Sequence, residues 1–212
     1  FFENLFSRLN TADVPFCNWK SHHALESYLK GNGDLDLFIP SQFKSQFEKI
    51  AVDEGFKLAT SYQANHDHIE HYYGLDRATL NFAHIHVYFK IITGEHVSKN
   101  YILPLENFVL NNLETYSNLP VINSKLRRNI FLIRYFLKIG SLYGLAQYLR
   151  ELEKYRNEWD SINQESEHIG IRDLALSSKE FQKMSSTYTS SSLLKKFLLS
   201  LRLKRQLKVY KK

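Results

Sequence analysis

Two aspartates separated by one residue carry the sharpest chemical signal in this chain of 212 residues. Asp34 and Asp36 lie in the segment 31–39, Gly-Asn-Gly-Asp-Leu-Asp-Leu-Phe-Ile. On a strand, side chains at i and i+2 point to the same face, so the two carboxylates can share one divalent cation or bridge two. Mg²⁺, with Mn²⁺ as the substitute, suits such oxygen ligands because it also binds substrate phosphates. Gly31 and Gly33 let the backbone approach a phosphate closely. The alternative is a solvated turn that holds two acids.

Histidines form the second signal, because six of the nine lie within thirty-one consecutive positions: His66, His68, His71, His84, His86 and His96. His84 and His86 share one face of a predicted strand over 79–92, and His66 and His68 share a face of a predicted strand over 66–73. Pairing of the two strands could gather four imidazoles, which would suit Zn²⁺. The alternative, which we favour, is a polar sheet face that lines a substrate cleft.

The elements that must position these residues follow from periodicity and turn signals. Strands are predicted over 14–19, 34–39, 66–73 and 79–92, and a further strand begins at Phe56. Helices are predicted over 1–10 and over 21–29, where Ser21 is the N-cap. Another helix begins at Ser41, and the pattern is helical throughout from about Leu105. Mixed elements come first and helices follow, so the sequence predicts an α+β fold with a helical subdomain. The predicted domains are an α/β domain over 1–104, a helical subdomain over 105–184, and a polar hinge with a basic tail helix over 185–212.

Composition excludes several classes of protein. The net charge is +6, but eight of the 28 basic side chains and no acid lie in 193–212, so the remainder carries 20 bases against 22 acids. The net charge therefore gives no argument for nucleic-acid binding by the globular part, and a nucleic-acid partner is not expected. Cys17 is the only cysteine, which excludes an internal disulfide and a cysteine-rich zinc site and predicts a packed core thiol. No apolar run reaches the ~20 residues of a membrane span, and the first residues do not resemble a signal peptide, so we expect a cytoplasmic protein.

The basic tail has two interpretations. Residues 193–205 predict an amphipathic helix with an apolar stripe of Leu194, Phe197, Leu198 and Leu201. The favoured interpretation is that this stripe packs on the domain and leaves the bases solvated. The other is peripheral contact with the anionic inner face of a membrane.

The order of strand, polar turn, helix and Asp-x-Asp strand resembles the nucleotidyltransferase superfamily of the polymerase-β type. Those proteins have Gly-Ser where this chain has Lys20-Ser21. The resemblance implies that Ser21 and nearby amides hold nucleotide phosphates and that Asp34 and Asp36 hold Mg²⁺. Lys20 replaces the glycine and is expected to contact phosphate as a point charge.

A second segment is similar to one bacterial branch of minimal nucleotidyltransferases. It is His-Ile-His-Val-Tyr-Phe-Lys at 84–90, followed by Gly-Glu-His-Val-Ser-Lys-Asn-Tyr-Ile-Leu-Pro-Leu-Glu at 94–106. Members of that branch often precede a thymidylate-kinase-like domain and are associated with surface-polysaccharide clusters. The resemblance covers about 10–170 and implies a kinase-like partner or a further downstream domain. Lys99 is the candidate for contact with an anionic group.

The chain departs from the superfamily at the third carboxylate, which completes the metal site and deprotonates the attacking hydroxyl in the active enzymes. The matching strand carries His84 and His86, and histidine can act as a base but is a poor Mg²⁺ ligand beside carboxylates. Glu70 and Glu106 are the candidates for the missing acid.

The resemblance implies a nucleotidyltransferase-like mixed β-sheet with flanking helices, followed by the C-terminal helical subdomain. The predicted activity is Mg²⁺-dependent transfer of a nucleotidyl group from an NTP to a small hydroxylated or phosphorylated acceptor in envelope polysaccharide metabolism. The first alternative is a non-catalytic nucleotide-binding module that has lost the third carboxylate. The second is a metal-dependent phosphotransferase or phosphohydrolase that uses the histidine cluster.

Overall fold

The computed structural model describes residues 2–60, 66–77, 79–95, 98–162 and 168–212. The chain forms two compact units. The first consists of Phe1–Ile91 and Glu106–Ile122, and the second of Ile92–Leu105 and Asn123–Lys212. Each unit is described by itself below.

The strands and helices alternate in the first half of the chain, and helices follow in the second. The strands are β1 (Cys17–Asn18), β2 (Asp34–Phe38), β3 (Lys57–Ala59), β4 (Ile69–Leu75), β5 (Phe82–Tyr88), β6 (Ile91–Thr93), β7 (Tyr101–Leu103), β8 (Leu113–Tyr116) and β9 (Leu119–Ile122). The α-helices are α1 (Phe2–Thr11), α2 (Leu25–Leu29), α3 (Lys44–Asp53), α4 (Glu106–Leu110), α5 (Ser124–Ile139), α6 (Leu142–Arg150), α7 (Leu152–Ile162), α8 (Ser178–Thr189) and α9 (Leu193–Gln206).

A seven-stranded mixed sheet in the order β3-β4-β5-β2-β1-β9-β8 organises the first unit. Strand β2 runs parallel to β5 and antiparallel to β1, while β4 and β5 form an antiparallel hairpin. The α+β class predicted from the sequence is confirmed by this sheet and its helices.

One face of this sheet is covered by α1 and α3. Alternate side chains of β2 and β5, such as Leu35, Leu37, Ile85 and Val87, enter a common apolar core with residues of both helices. The side chains between them, which include both aspartates and both strand histidines, therefore lie on the opposite face. Burial of the apolar set fixes the register, because a slip by one residue would exchange the two faces.

The second unit is built mainly from helices. Helix α5 begins after Asn123, whose side chain accepts a hydrogen bond from the Leu126 amide at 3.0 Å, and Gly140 follows its last residue. Helix α9 packs on α5 through its more polar side, since Lys196, Ser200 and Leu203 are buried. The predicted apolar stripe is therefore not the packed face.

Four sequence predictions need correction. The helical pattern from Leu105 is wrong over 113–122, where β8 and β9 form a hairpin that joins the main sheet through β1. The predicted hinge is helical as far as Thr189, because α8 continues through the serines and threonines. His66 and His68 precede β4 rather than sharing its face. The stripe of Leu194, Leu198 and Leu201 is exposed, contrary to the favoured packing.

No helix in the described part of the chain is both long enough and apolar enough to cross a membrane.

Candidate functional site

The face of the sheet opposite helices α1 and α3, called the site-bearing face below, brings together Asp34, Asp36, His84 and His86. In the parallel pairing of β2 with β5, Asp34 lies opposite His84 and Asp36 lies opposite His86. Because these residues share one side of neighbouring strands, their side chains converge. The sequence-predicted association of the aspartates with this pair of histidines is present in the geometry.

Asp34 is the accessible acid of the pair, with 50% of its side chain exposed. Its Oδ1 lies 2.5 Å from His84 Nδ1, and its Oδ2 lies 3.6 Å from His86 Nε2. The hydrogen bond from His84 holds the pKa of Asp34 below its ordinary value. Asp34 is therefore an ionised carboxylate in contact with solvent, which fits an oxygen ligand for a divalent cation.

Asp36 differs sharply from its neighbour, because only 5% of its side chain is exposed. Lys20 Nζ lies 2.7 Å from Asp36 Oδ1, and His86 Nδ1 lies 3.5 Å from the same oxygen. Burial alone would raise the pKa of Asp36, but Lys20 and His86 outweigh burial and lower it well below its usual range. Asp36 is therefore a buried carboxylate whose charge is balanced by the protein itself, unlike the half-exposed Asp34.

Lys20 reaches Asp36 from the turn after β1. Its ammonium lies 4.7 Å from the centroid of the Tyr88 ring and 5.6 Å from that of Trp19, so aromatic faces also surround the cation. Lys20 forms an ion pair with Asp36 in this geometry, and its contact with a phosphate stays a prediction.

Ser21 follows Lys20 in a left-handed backbone conformation, with φ 63° and ψ 34°. Non-glycine residues adopt this region uncommonly. The side chain makes no capping hydrogen bond to the short 3₁₀ helix His22–Ala24, so the predicted N-cap position is present without the predicted N-cap bond.

The two glycines before Asp34 are explained by contacts within the chain. A Cβ at Gly31 would lie 2.9 Å from the Phe82 carbonyl oxygen, and a Cβ at Gly33 would lie 2.6 Å from the Tyr28 ring. Both residues also have positive φ, of 85° and 125°. Turn geometry and close packing thus require glycine at each position, and contact with a phosphate stays a prediction.

Lys99 belongs to the other compact unit, in the connection between β6 and β7. Its backbone N–H donates to the Glu95 carbonyl oxygen at 2.9 Å. His96, the last member of the sequence cluster, lies outside the described residues.

The two candidates for a third carboxylate are engaged elsewhere. Glu70 lies on β4 between residues of the site-bearing face, forms an ion pair with Lys44 of α3 and accepts a hydrogen bond from Tyr72 at 2.7 Å. Its side chain thus points to the helix-covered face. Glu106 pairs with Lys90 at 3.4 Å. Glu70 is excluded as the missing acid because strand alternation directs it away from Asp34.

His71 and Tyr73 complete the site, and the sequence analysis did not assign them to it. In the β4–β5 hairpin His71 lies opposite His86 and Tyr73 lies opposite His84. The Tyr73 ring stacks on His84 with centroids 4.0 Å apart and an interplanar angle of 11°. Strand alternation was the available signal, because His71 has the opposite parity to His66 and His68, but the hairpin register was needed to use it.

Two solved structures are similar to this chain at low sequence identity. No protein-family model matches the chain, and no significant match was found among curated proteins. Among solved structures, JHP933 from Helicobacter pylori is 9% identical with a TM-score of 0.34, over 98% of this chain and 90% of that one. A second structure, described as a candidate nucleotidyltransferase from H. pylori, is 10% identical with a TM-score of 0.34, over 100% of this chain and 95% of that one. These values are too low to assign a function or a detailed fold to this chain.

Proposed function

We propose that this chain is a metal-dependent nucleotidyltransferase that moves a nucleotidyl group from an NTP to a small hydroxylated or phosphorylated acceptor. The single observation that carries the proposal is the convergence of Asp34, Asp36, His84 and His86 on one face of two parallel strands. Carboxylates that hold a cation beside a candidate base form the minimum set for chemistry on a polyphosphate.

Asp34 is the residue that would hold Mg²⁺ or Mn²⁺, because it is ionised and half exposed. When bound, the ion neutralises triphosphate charge and orients the phosphates for in-line attack. Asp36 has a different role, since the Lys20 ammonium already balances its charge. It holds Lys20 and His86 in position beneath the reacting groups.

His86 is the proposed general base. Its imidazole takes the proton of the acceptor hydroxyl as the acceptor oxygen attacks the α-phosphorus. The new oxygen–phosphorus bond forms while the bond to the β-phosphate oxygen breaks, and pyrophosphate leaves with its electron pair. The resemblance implies that His86 takes the position of the third carboxylate. Its ring nitrogens lie within 3.6 Å of both aspartates, which supports a role beside them.

The experiment is incubation of the protein with each NTP, Mg²⁺ or Mn²⁺ and a panel of sugars, sugar phosphates and polyols, with detection of pyrophosphate and adducts by mass spectrometry. We expect Asp34→Asn to lower the rate by ~100-fold or more, because the accessible cation ligand is lost. Asp53→Asn is the matched control, since this acid lies on α3 and pairs with Arg8. Absence of pyrophosphate under every condition would contradict nucleotidyl transfer.

A non-catalytic nucleotide-binding module is the second candidate, and the Lys20–Asp36 ion pair favours it. The charge of Asp36 is balanced by Lys20. The resemblance implies that histidines replace the third carboxylate of the active enzymes. Such a module would bind NTP with Mg²⁺ in equilibrium dialysis without releasing pyrophosphate. A kinase-like partner and an acceptor from envelope polysaccharide metabolism are proposals that depend on the resemblance alone.

A further inference from the structure

Three histidines on the site-bearing face form a cluster, and only His86 among them has a catalytic role in the proposed nucleotidyl transfer. His71 of β4 and His84 and His86 of β5 each offer one ring nitrogen, and these nitrogens all lie within 4.8 Å of one another. The register of the hairpin places them together, because His71 is directly opposite His86 and diagonal to His84. Imidazole is a ligand that suits Zn²⁺ and other transition metals better than Mg²⁺.

The distance between two of these nitrogens matches a shared ion. His71 Nδ1 lies 3.2 Å from His84 Nε2. Two ligands of a tetrahedral zinc ion, each ~2.0–2.1 Å from the metal, are ~3.3 Å apart. This separation would let one ion contact both nitrogens, and the ligand nitrogen of His86 lies within 4.8 Å of each.

Asp34 lies behind this cluster in the position of an orienting carboxylate. Its Oδ1 contacts His84 Nδ1, which is the ring nitrogen that faces away from His71. A proton on Nδ1 that is donated to Asp34 leaves the lone pair of Nε2 directed at His71. Metal-ligating histidines are commonly held in this way by a carboxylate, which fixes the tautomer and raises the basicity of the ligating nitrogen.

The cluster is also partly open. About 16% of the His84 side chain and 17% of the His86 side chain are exposed, so solvent or substrate can reach the rings. Three protein ligands with an open fourth position are typical of catalytic rather than structural zinc sites. Tyr73, stacked on His84, restricts the rotation of that ring.

We propose that His71, His84 and His86 bind one transition-metal ion, with Zn²⁺ as the best fit, and that Asp34 is the positioning residue behind His84. The ion would lie on the opposite side of His84 from Asp34. The site lies beside the Mg²⁺ position proposed at Asp34 and shares His86 with the proposed nucleotidyl transfer. A bound Zn²⁺ would therefore occupy the ring that serves there as general base, but zinc binding itself does not depend on that activity.

The test is metal binding by the intact chain without nucleotide. The protein is treated with a chelator, dialysed, and titrated with Zn²⁺ by calorimetry and with Co²⁺ by visible absorption, where intense bands report a tetrahedral site. We expect one equivalent of each metal. His71→Asn and Asp34→Asn should each weaken Zn²⁺ binding by at least 10-fold, because one loses a ligand and the other loses the group that orients His84.

His68→Asn is the matched control, since His68 lies outside β4 and is exposed, and asparagine tolerates its positive φ of 66°. It should bind Zn²⁺ as the unaltered protein does. If His71→Asn does not fold, His71→Phe keeps a ring against His84 and replaces it. Equal Zn²⁺ affinity in the unaltered chain and the His71 variant, or no binding at all, would overturn the proposal. Neither result depends on pyrophosphate release, so the two proposals fail separately.

Discussion

Lys20 Nζ lies 2.7 Å from Asp36 Oδ1, where only 13% of the lysine side chain and 5% of the aspartate side chain are exposed. The pair links the turn after β1 to the centre of β2 and lies directly beside His86. A buried ion pair is held mainly by the cost of leaving either charge alone. It therefore fixes the turn that carries Ser21 and makes the two acids of the Asp-x-Asp pattern unequal.

The first prediction concerns removal of the cation from this pair. Lys20→Met should lower the free energy of unfolding by ~3–5 kcal/mol, because Asp36 remains buried without its main partner. Urea denaturation measures the change. Adding Asp36→Asn to the Lys20 variant should recover part of the loss.

Lys30→Met is the control for this prediction. Lys30 pairs with Glu26 on the surface, with 65% and 72% of the two side chains exposed. Its urea midpoint should not change measurably. Equal effects of the two lysine substitutions would contradict the buried ion pair.

The second prediction is an acid-dependent loss of stability. Folding lowers the pKa of Asp36, so the folded chain keeps it ionised where the unfolded chain, with an aspartate pKa of ~3.9, takes up a proton. The stabilisation is complete above about pH 4–5 and is lost as the pH falls toward the lowered value. Urea denaturation between pH 7 and pH 3 should show that the free energy of unfolding falls less steeply with pH in Asp36→Asn than in the unaltered chain. Identical slopes would show that Asp36 does not contribute.

The third prediction separates backbone conformation from packing at Gly31. Gly31 and Gly55 have nearly the same φ, 85° and 84°. A Cβ at Gly31 would lie 2.9 Å from the Phe82 carbonyl oxygen, whereas a Cβ at Gly55 would have no atom within 4 Å. Gly55→Ala should cost ~1–2 kcal/mol from the left-handed conformation alone. Gly31→Ala should cost more, because the backbone of β5 must also move. Thermal or urea unfolding of both variants gives the comparison, and equal losses would argue against the close approach.

The fourth prediction tests which side of α9 is packed. Leu203 is 3% exposed and Leu198 is 56% exposed, although both belong to the same helix. Leu203→Ala should lower the free energy of unfolding by ~2–5 kcal/mol through the cavity it leaves. Leu198→Ala should change it by less than ~0.5 kcal/mol. A larger loss of stability for Leu198→Ala than for Leu203→Ala would mean that the apolar stripe predicted from the sequence is the packed side of α9.

The fifth prediction concerns the exposed leucines of that helix. Leu194, Leu198 and Leu201 are accessible beside Lys195 and Arg202. Such an arrangement suits an anionic bilayer, where apolar burial and charge attraction add. A variant with serine at Leu194, Leu198 and Leu201 should no longer float with phosphatidylserine vesicles. Neither this variant nor the unaltered chain should float with neutral vesicles. Equal flotation of the variant and the unaltered chain would reject membrane contact through α9.

Local patterns were sufficient for the α+β class and for the shared faces of the acids and histidines. Strand alternation places Asp34 with Asp36 and His84 with His86, because side chains repeat every two residues whatever the partner strand is. The helix predicted over 113–122 is wrong, because pairing of β8 with β9 and of β9 with β1 outweighs the local preference of this segment for helix.

Only the tertiary structure decided what each of these groups contacts. The register of β4 against β5 selects His71 rather than His66 or His68 as the third imidazole, and the turn after β1 directs Lys20 into the acid pair. Both depend on residues far apart in the chain. Burial, ion pairing and ring contact follow from which strands become neighbours, so spacing along one segment contains no information about them.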